Sequence, residues 1–263
     1  MGVKNKQMIK SLGFTLVELS IVIIIIGFLI AGIAAGQSLI QQAKLNSVIT
    51  EFKEFDTALQ TFKIRYNYLP GDFPDAYSYW GAACAPVAED CNGNGDNSVD
   101  AIPGFAQFRQ ESYRFWQHLN LAGILPGNYS GFSNLPNYAA TIGLNLPASK
   151  FTPGGWYFGY TGSWFMNNVD PLLIKAQYFQ VGARRDISTV DYPLFTPTEA
   201  SNLDSKIDDG HPYTGSFKSL EGFDNGNGTL TFSCVVGNGA TATYDYSQSS
   251  PQCWSWILPS IPQ

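Results

Sequence analysis

Charge is scarce in this 263-residue chain. Charged residues make up 14% of it, and 15 Lys and Arg stand against 21 Asp and Glu for a formal net charge of -6. A surface of that kind lacks the basic stripe that a phosphate backbone requires, so nucleic acid is not an expected partner of the folded part. Histidine is rarer still. His118 and His211 stand in unrelated contexts, with no recognisable nucleophile motif around either, which leaves activated-nucleophile catalysis little to rest on. Proline is absent before Pro70, and glycine is absent from Gln37 to Leu69, so nothing breaks a helix over that stretch. The four cysteines include no close C-x-x-C pair, which removes the usual spacing of a zinc site.

What is present is aromatic, glycine-rich and apolar. With four cysteines, that balance suits an exported, β-containing domain in an oxidising compartment. The length allows one sizeable core and an anchor, because single cores stop growing near ~250 residues.

The first forty residues carry the most information. Met1 to Gly13 holds Lys4, Lys6 and Lys10 and no acid. From Phe14 to Gly36 the chain is almost wholly apolar, long enough to cross a hydrocarbon core of ~30 Å. The lysines belong on the cytoplasmic side and the C-terminal bulk on the other. No small-residue cleavage site follows the apolar run as an ordinary secretory leader requires, so an uncleaved signal anchor is one reading. Against it stands Glu18, a carboxylate one turn into the run, where an acid near a span centre costs roughly 2.5 to 3.5 kcal/mol. Cutting between Gly13 and Phe14 frees an amine in the same membrane layer, to which a neighbouring subunit's carboxylate can pair.

The segment Gly13-Phe14-Thr15-Leu16-Val17-Glu18, with the basic leader before it and the apolar run after it, resembles the type III signal of type IV pilins and type II secretion pseudopilins. The resemblance implies removal of residues 1–13 by prepilin peptidase, N-methylation of Phe14, and a role for Glu18 in docking each subunit to the one before it. It also implies a single-pass protein of the bacterial inner membrane, handled by an assembly platform and packed with other pilin-like subunits into a periplasmic or cell-surface filament. Many relatives carry a proline midway along the span; this chain has none, and Gly27, Gly32 and Gly36 are candidates either for that looseness or for close helix contacts.

Past Gly36 the helical beat continues. Leu45, Val48, Phe52, Phe55, Leu59, Phe62 and Tyr66 are spaced alternately three and four apart, one face of an amphipathic helix. The spacing predicts one helix from Phe14 to Asn67, on the order of 80 Å long: a span over 14–36 and an exported half over 37–67. A globular α+β domain then fills 68–263, with an antiparallel sheet laid on the long helix, as in the pilin fold. Tyr68-Leu69-Pro70-Gly71-Asp72 breaks the helix and a long loop follows. A second helix is expected over 105–122 with Gly123 as its stop. Strands are expected over 156–165, 176–181, 229–236 and 240–246, the last two as a hairpin through Gly237-Asn238-Gly239. Thr198 is expected to cap a short helix carrying Ala200, Leu203 and Ile207. Tyr68 to Asp72 and Ile207 to Pro212 also look like segments of large pseudopilin-like proteins.

Four cysteines permit three pairings, and spacing favours the local ones. Cys84 with Cys91 closes a small loop; Cys234 with Cys253 ties a strand to the C-terminal segment, and this pairing resembles the C-terminal disulfide loop of many pilins. Asp90, Asn92, Asn94 and Asp96 present oxygen side chains at alternate positions, with Gly95 at the turn, as an EF-hand-like calcium loop does. Ala101 replaces the usual twelfth-position glutamate, and Asp100 lies one residue earlier, so a glycine-rich turn that holds no ion is the plain alternative. Asp208 and Asp209 before Gly210 form a second acidic turn, at which the resemblance places a cation loop in some pseudopilins; capped solvated acids are the plain alternative.

The expected function is therefore structural, not enzymatic. The rivals are a tip adhesin that presents Trp80, with Tyr77 and Tyr79, to a glycan, and a membrane-anchored periplasmic enzyme.

Overall fold

The computed structural model describes residues 13–100, 111–133, 135, 139–160, 176–185, 189–222 and 232–261. The chain divides into two compact units, Met1–Ala43 and Lys44–Gln263. Helix α1 spans Leu16–Tyr66 and contributes to both. In the first unit its large apolar side chains, from Leu16 to Ile40, are all exposed. Among the described residues α1 is the one helix long and apolar enough to cross a membrane, with a mean hydropathy of 2.8 in its best 18-residue window.

In the second unit the apolar face of α1 enters a core. Leu45, Val48, Phe55, Leu59 and Phe62 are buried, and Phe52 and Tyr66 are packed against the same cluster. After α1 come α2 (Ala76–Trp80), α3 (Ala88–Cys91), α4 (Glu111–Leu121), β1 (Gly154–Tyr160) and β2 (Gln177–Ala183). Then come α5 (Pro197–Ile207), β3 (Phe217–Glu221), β4 (Val235–Val236), β5 (Thr243–Tyr244) and β6 (Cys253–Ile257). Strands β1, β2, β6 and β3, in that order, form one antiparallel sheet. The fold is α+β.

Aromatic rings join the layers. Phe55 of α1 meets Trp116 of α4 and Trp156 of β1 edge-on, at centroid distances of 5.0 and 5.4 Å, and Phe52 meets Phe179 of β2 at 5.7 Å. Phe115 of α4 stacks on Phe158 at 4.0 Å. Such contacts add about 0.5–1.5 kcal/mol each beyond area burial, so the helix is keyed to the sheet by shape as well as by apolarity.

Several expectations shift. Helix α1 stops at Tyr66 because Asn67 takes a left-handed conformation, φ 61°, and its N–H closes the last turn on the Lys63 carbonyl at 2.8 Å; asparagine tolerates that conformation. The stop thus precedes Pro70. The expected loop after Pro70 contains α2, a 3-10 turn at Gly81–Ala83 and α3. The helix expected over 105–122 is found as Glu111–Leu121, and residues 105–110 lie outside the described residues. Helix α5 is capped by Thr196, not Thr198: its hydroxyl accepts the Glu199 N–H at 3.2 Å and the Glu199 carboxylate accepts the Thr196 N–H at 2.9 Å. Pro197, whose fixed φ suits the first helical position, sets that start.

The expected hairpin is a separate two-stranded sheet of β4 and β5, only two residues each, with a 3-10 turn at Gly239–Thr241 in the connection; residues 229–231 lie outside the described residues. The strand expected over 156–165 is β1, with 161–165 outside the described residues.

Candidate functional site

Thr15 is the residue before α1, and its peptide N–H and hydroxyl both donate to Glu18 Oε2 at 2.8 Å. The same hydroxyl accepts the Glu18 N–H at 3.2 Å. This reciprocal arrangement is a capping box, and it places a carboxylate at the positive end of the helix. The sequence signal, Thr-x-x-Glu before an apolar run, was there to be read beside the family resemblance. It gives Glu18 local partners, where the cost of an acid in an apolar run had pointed to an external one. Ser20, the next polar side chain, returns its hydroxyl to the Val17 carbonyl at 2.8 Å and so presents no free polar group. Gly13, Phe14 and Thr15 precede the helix in non-helical backbone, and both Phe14 and Glu18 are exposed.

The Asp90–Asp100 stretch is organised by two buried carboxylates that the motif did not include. Asp72, fully buried, accepts the N–H groups of Gly95, Asp96 and Asn97 at 2.6, 3.1 and 2.9 Å. Glu111, at the start of α4, accepts those of Asn94 and Asp100 at 3.0 and 3.1 Å. Burial pushes Asp72 up to about 6 and Glu111 up to about 7. Gly93 crosses so close to the Asp72 backbone that a Cβ there would overlap it.

Within the loop, Asn92 Oδ1 accepts from Tyr77 N–H at 2.7 Å, Asn94 Oδ1 from Asp96 N–H at 2.9 Å, and Asp96 Oδ1 from Ser98 N–H at 2.8 Å. The carboxylates of Asp90, Asp96 and Asp100 do not all lie within 4.8 Å of one another. The oxygen-rich pattern is used here to receive backbone donors.

Among the described residues two groups of potential ligands do come together. Asp204, Asp208 and Asp209 bring carboxylate oxygens within 4.8 Å of one another. Each is engaged. Asp204 accepts from Tyr244 Oη at 2.6 Å and Gly210 N–H at 3.0 Å. Asp208 accepts from the Ser216 N–H and hydroxyl and from the Phe217 N–H, tying the turn to the start of β3. Asp209 accepts from Thr214 Oγ1 at 2.6 Å and His211 N–H at 2.9 Å. Burial pushes Asp204 up to about 6. Asp204 was missed in the sequence because only the exposed turn carried a visible acidic pattern.

The second group is Cys84, Cys91 and His118. Cys84 is bonded to Cys91, and Cys234 to Cys253, so no thiolate is offered. His118, fully buried, accepts the Gly71 N–H on Nδ1 at 2.9 Å and faces the Cys91 carbonyl through Nε2 at 3.0 Å. Burial pushes it down to about 3, so it is a neutral strut between α4, the Pro70 turn and the disulfide.

Of the aromatics expected at the surface, Trp80 is half-buried against Phe62, Phe73 and His118. Tyr79 is the exposed member of that cluster, at 63%. Comparison with protein-family models, with curated proteins and with solved structures finds no match to the chain.

Proposed function

We propose that the chain is a structural subunit of a type IV pilus-like filament or type II secretion pseudopilus. In this reading it is cut after Gly13, methylated at Phe14 and held in the bacterial inner membrane until its helix is drawn into the filament. One observation carries the reading. The signal Gly13-Phe14-Thr15-Leu16-Val17-Glu18 opens a helix whose large apolar side chains up to Ile40 are exposed. Apolar surface of that extent needs lipid or other apolar helices around it, and a filament subunit meets first one and then the other.

The antiparallel sheet packed on the exported half of α1 supports the same reading, because it gives that half of the helix a folded domain to carry. The partners are then other subunits of the same kind, a prepilin peptidase and a membrane assembly platform.

The test uses Glu18→Ala and a bulky replacement of Gly13 in the full chain. Glu18→Ala is expected to be processed yet fail to enter filaments; the Gly13 variant is expected to keep its leader. Filaments that incorporate Glu18→Ala at the normal level would remove the docking role.

A further inference from the structure

The four-stranded sheet has a second face, opposite α1, on which hydrogen bonding is incomplete. Trp156 and Phe179 turn toward α1. Side chains alternate along a strand, so Gln180 of β2 lies on the other face with its cross-strand neighbours Tyr157 and Trp256. Burial, the largest cause, and the Asp191 charge, a lesser one, hold the Tyr157 and Tyr178 hydroxyls above their ordinary values, which puts Asp191 beside the same row. Gln180, Trp256 and Asp191 are only 2, 2 and 3% exposed. Yet Gln180 Nε2, Trp256 Nε1 and Asp191 Oδ1 have no hydrogen-bond partner among the described residues. A buried polar atom left unpaired costs stability, and three in one place call for a group that pairs them.

We propose that this cluster binds one neutral sugar residue, with Trp256 and Tyr178 meeting its C–H face and Gln180, Asp191 and the Trp256 indole N–H meeting its hydroxyls.

The chemistry of the cluster selects that class. The Tyr178 ring lies 4.9 Å from that of Trp256, and Trp254 stacks on Trp256 at 5.9 Å, so an aromatic tier borders the unpaired atoms. Trp254 Nε1 is already spent on the Glu221 carbonyl at 2.8 Å, which leaves Trp256 as the indole with a donor to give. Gln180 Oε1 accepts from Thr189 Oγ1 at 3.0 Å, and whichever way the amide is turned one of its ends stays unpaired. The free atoms are two donors and one acceptor. Hydroxyl groups, which donate and accept, serve all three. A cation would face two N–H groups, and an anion would face a carboxylate. Asp191 Oδ2 is already paired with Arg185 Nη2 at 2.8 Å, and Lys218, across from Trp256 in β3, gives its ammonium to the Tyr213 carbonyl at 2.6 Å. Tyr178 and Thr189 are half-buried, so the cluster reaches the surface at those two side chains. Aromatic walls with a few converging polar groups are the usual make-up of a small-molecule site.

The experiment uses the full chain purified in a detergent without a sugar headgroup. Saturation-transfer NMR is recorded with glucose, galactose and N-acetylglucosamine, each alone at millimolar concentration, and with glucuronate as the charged comparison. At least one neutral sugar is expected to receive saturation, and glucuronate is expected to bind more weakly than it. Free hexoses and the N-acetylated sugar represent the two common sources, surface glycan and cell-wall glycan. Trp256→Phe keeps the ring and loses the N–H; Gln180→Leu keeps the bulk and loses the amide. Each is expected to weaken binding on the order of tenfold, the scale of one hydrogen bond, while its urea midpoint stays level or rises, because the group removed had no partner in the fold. Tyr79→Ala, in the exposed aromatic cluster, is expected to bind as the wild type does. The proposal is overturned if none of the three sugars receives saturation, if both variants bind as tightly as the wild type, or if glucuronate binds as well as the best neutral sugar. A urea midpoint that drops in both variants overturns it as well, since the two groups would then be bonded within the fold. None of these results bears on the filament reading, which stands or falls with Glu18→Ala.

Discussion

The indole Nε1 of Trp156 in β1 donates to the buried carboxylate of Glu51 in α1 at 2.8 Å. Ser149 Oγ and the Lys150 N–H reach the same carboxylate at 2.8 and 2.7 Å. An acid facing the core of an amphipathic helix is thus satisfied by three donors from one loop and one strand. The helix is fastened to the sheet at this point by polar as well as aromatic contacts.

Removing that acceptor leaves three donors facing a void. Glu51→Ala is expected to destabilise the sheet-bearing unit by on the order of 3 kcal/mol, and Glu51→Gln by less, because the amide oxygen keeps part of the acceptor role. Urea unfolding of the full chain in detergent, followed by tryptophan fluorescence, measures both.

Phe55 is the apolar counterpart, touching Trp116, Trp156 and Phe179. Phe55→Ala is expected to lose about 3–5 kcal/mol, the usual range for a buried phenylalanine. An effect below about 1 kcal/mol in the same unfolding assay would mean that α1 does not form the core described here.

The pH dependence has a definite sign. Burial raises Asp72, Asp191 and Asp204 to about 6 and Glu111 to about 7. A carboxyl raised in the folded state binds more protons there than in the unfolded chain. Its stabilisation is full below the ordinary value and is lost as pH rises through the folded one. His118, lowered to about 3, works the other way below its ordinary value of 6.5, but it is one group against four. The urea midpoint is therefore expected to fall between pH 5 and pH 8, and a midpoint that rises over that range contradicts the burial of these acids.

The Asp72 loop gives a fourth expectation. Asp72→Ala removes the acceptor of three N–H groups and is expected to cost roughly 2 kcal/mol or more. Calcium is tested on the same loop. If Asp96 and its neighbours take the ion, excess calcium raises the melting temperature of the wild type and not of Asp96→Asn.

The long helix was legible because its signals are strong and local: an unbroken apolar run, then Leu45 to Tyr66 at three-four spacing, with no glycine or proline between. The sheet was less legible. Strands β3 and β6 went unread, although Cys253-Trp254-Ser255-Trp256-Ile257 alternates in type. All five residues are buried, so the sequence contrast between two faces that marks a half-exposed strand is weak. Gly237-Asn238-Gly239 suggested a tight hairpin, but the chain places a 3-10 turn at Gly239–Thr241 and pairs only two residues on each side.

At the candidate site, the Thr15-x-x-Glu18 pattern and the cysteines were visible as short-range patterns. The buried acids Asp72, Glu111 and Asp204 were not, since their meaning lies in donors brought from other parts of the chain, backbone N–H groups for Asp72 and Glu111 and the Tyr244 hydroxyl for Asp204.

The most direct measurement is the intact mass and N-terminal sequence of the protein isolated from its cell envelope. The account expects a chain that begins at Phe14, short of Met1 to Gly13 and heavier by one methyl group on its amine. A product that still carries Lys4, Lys6 and Lys10, with Gly13 joined to Phe14, would contradict it.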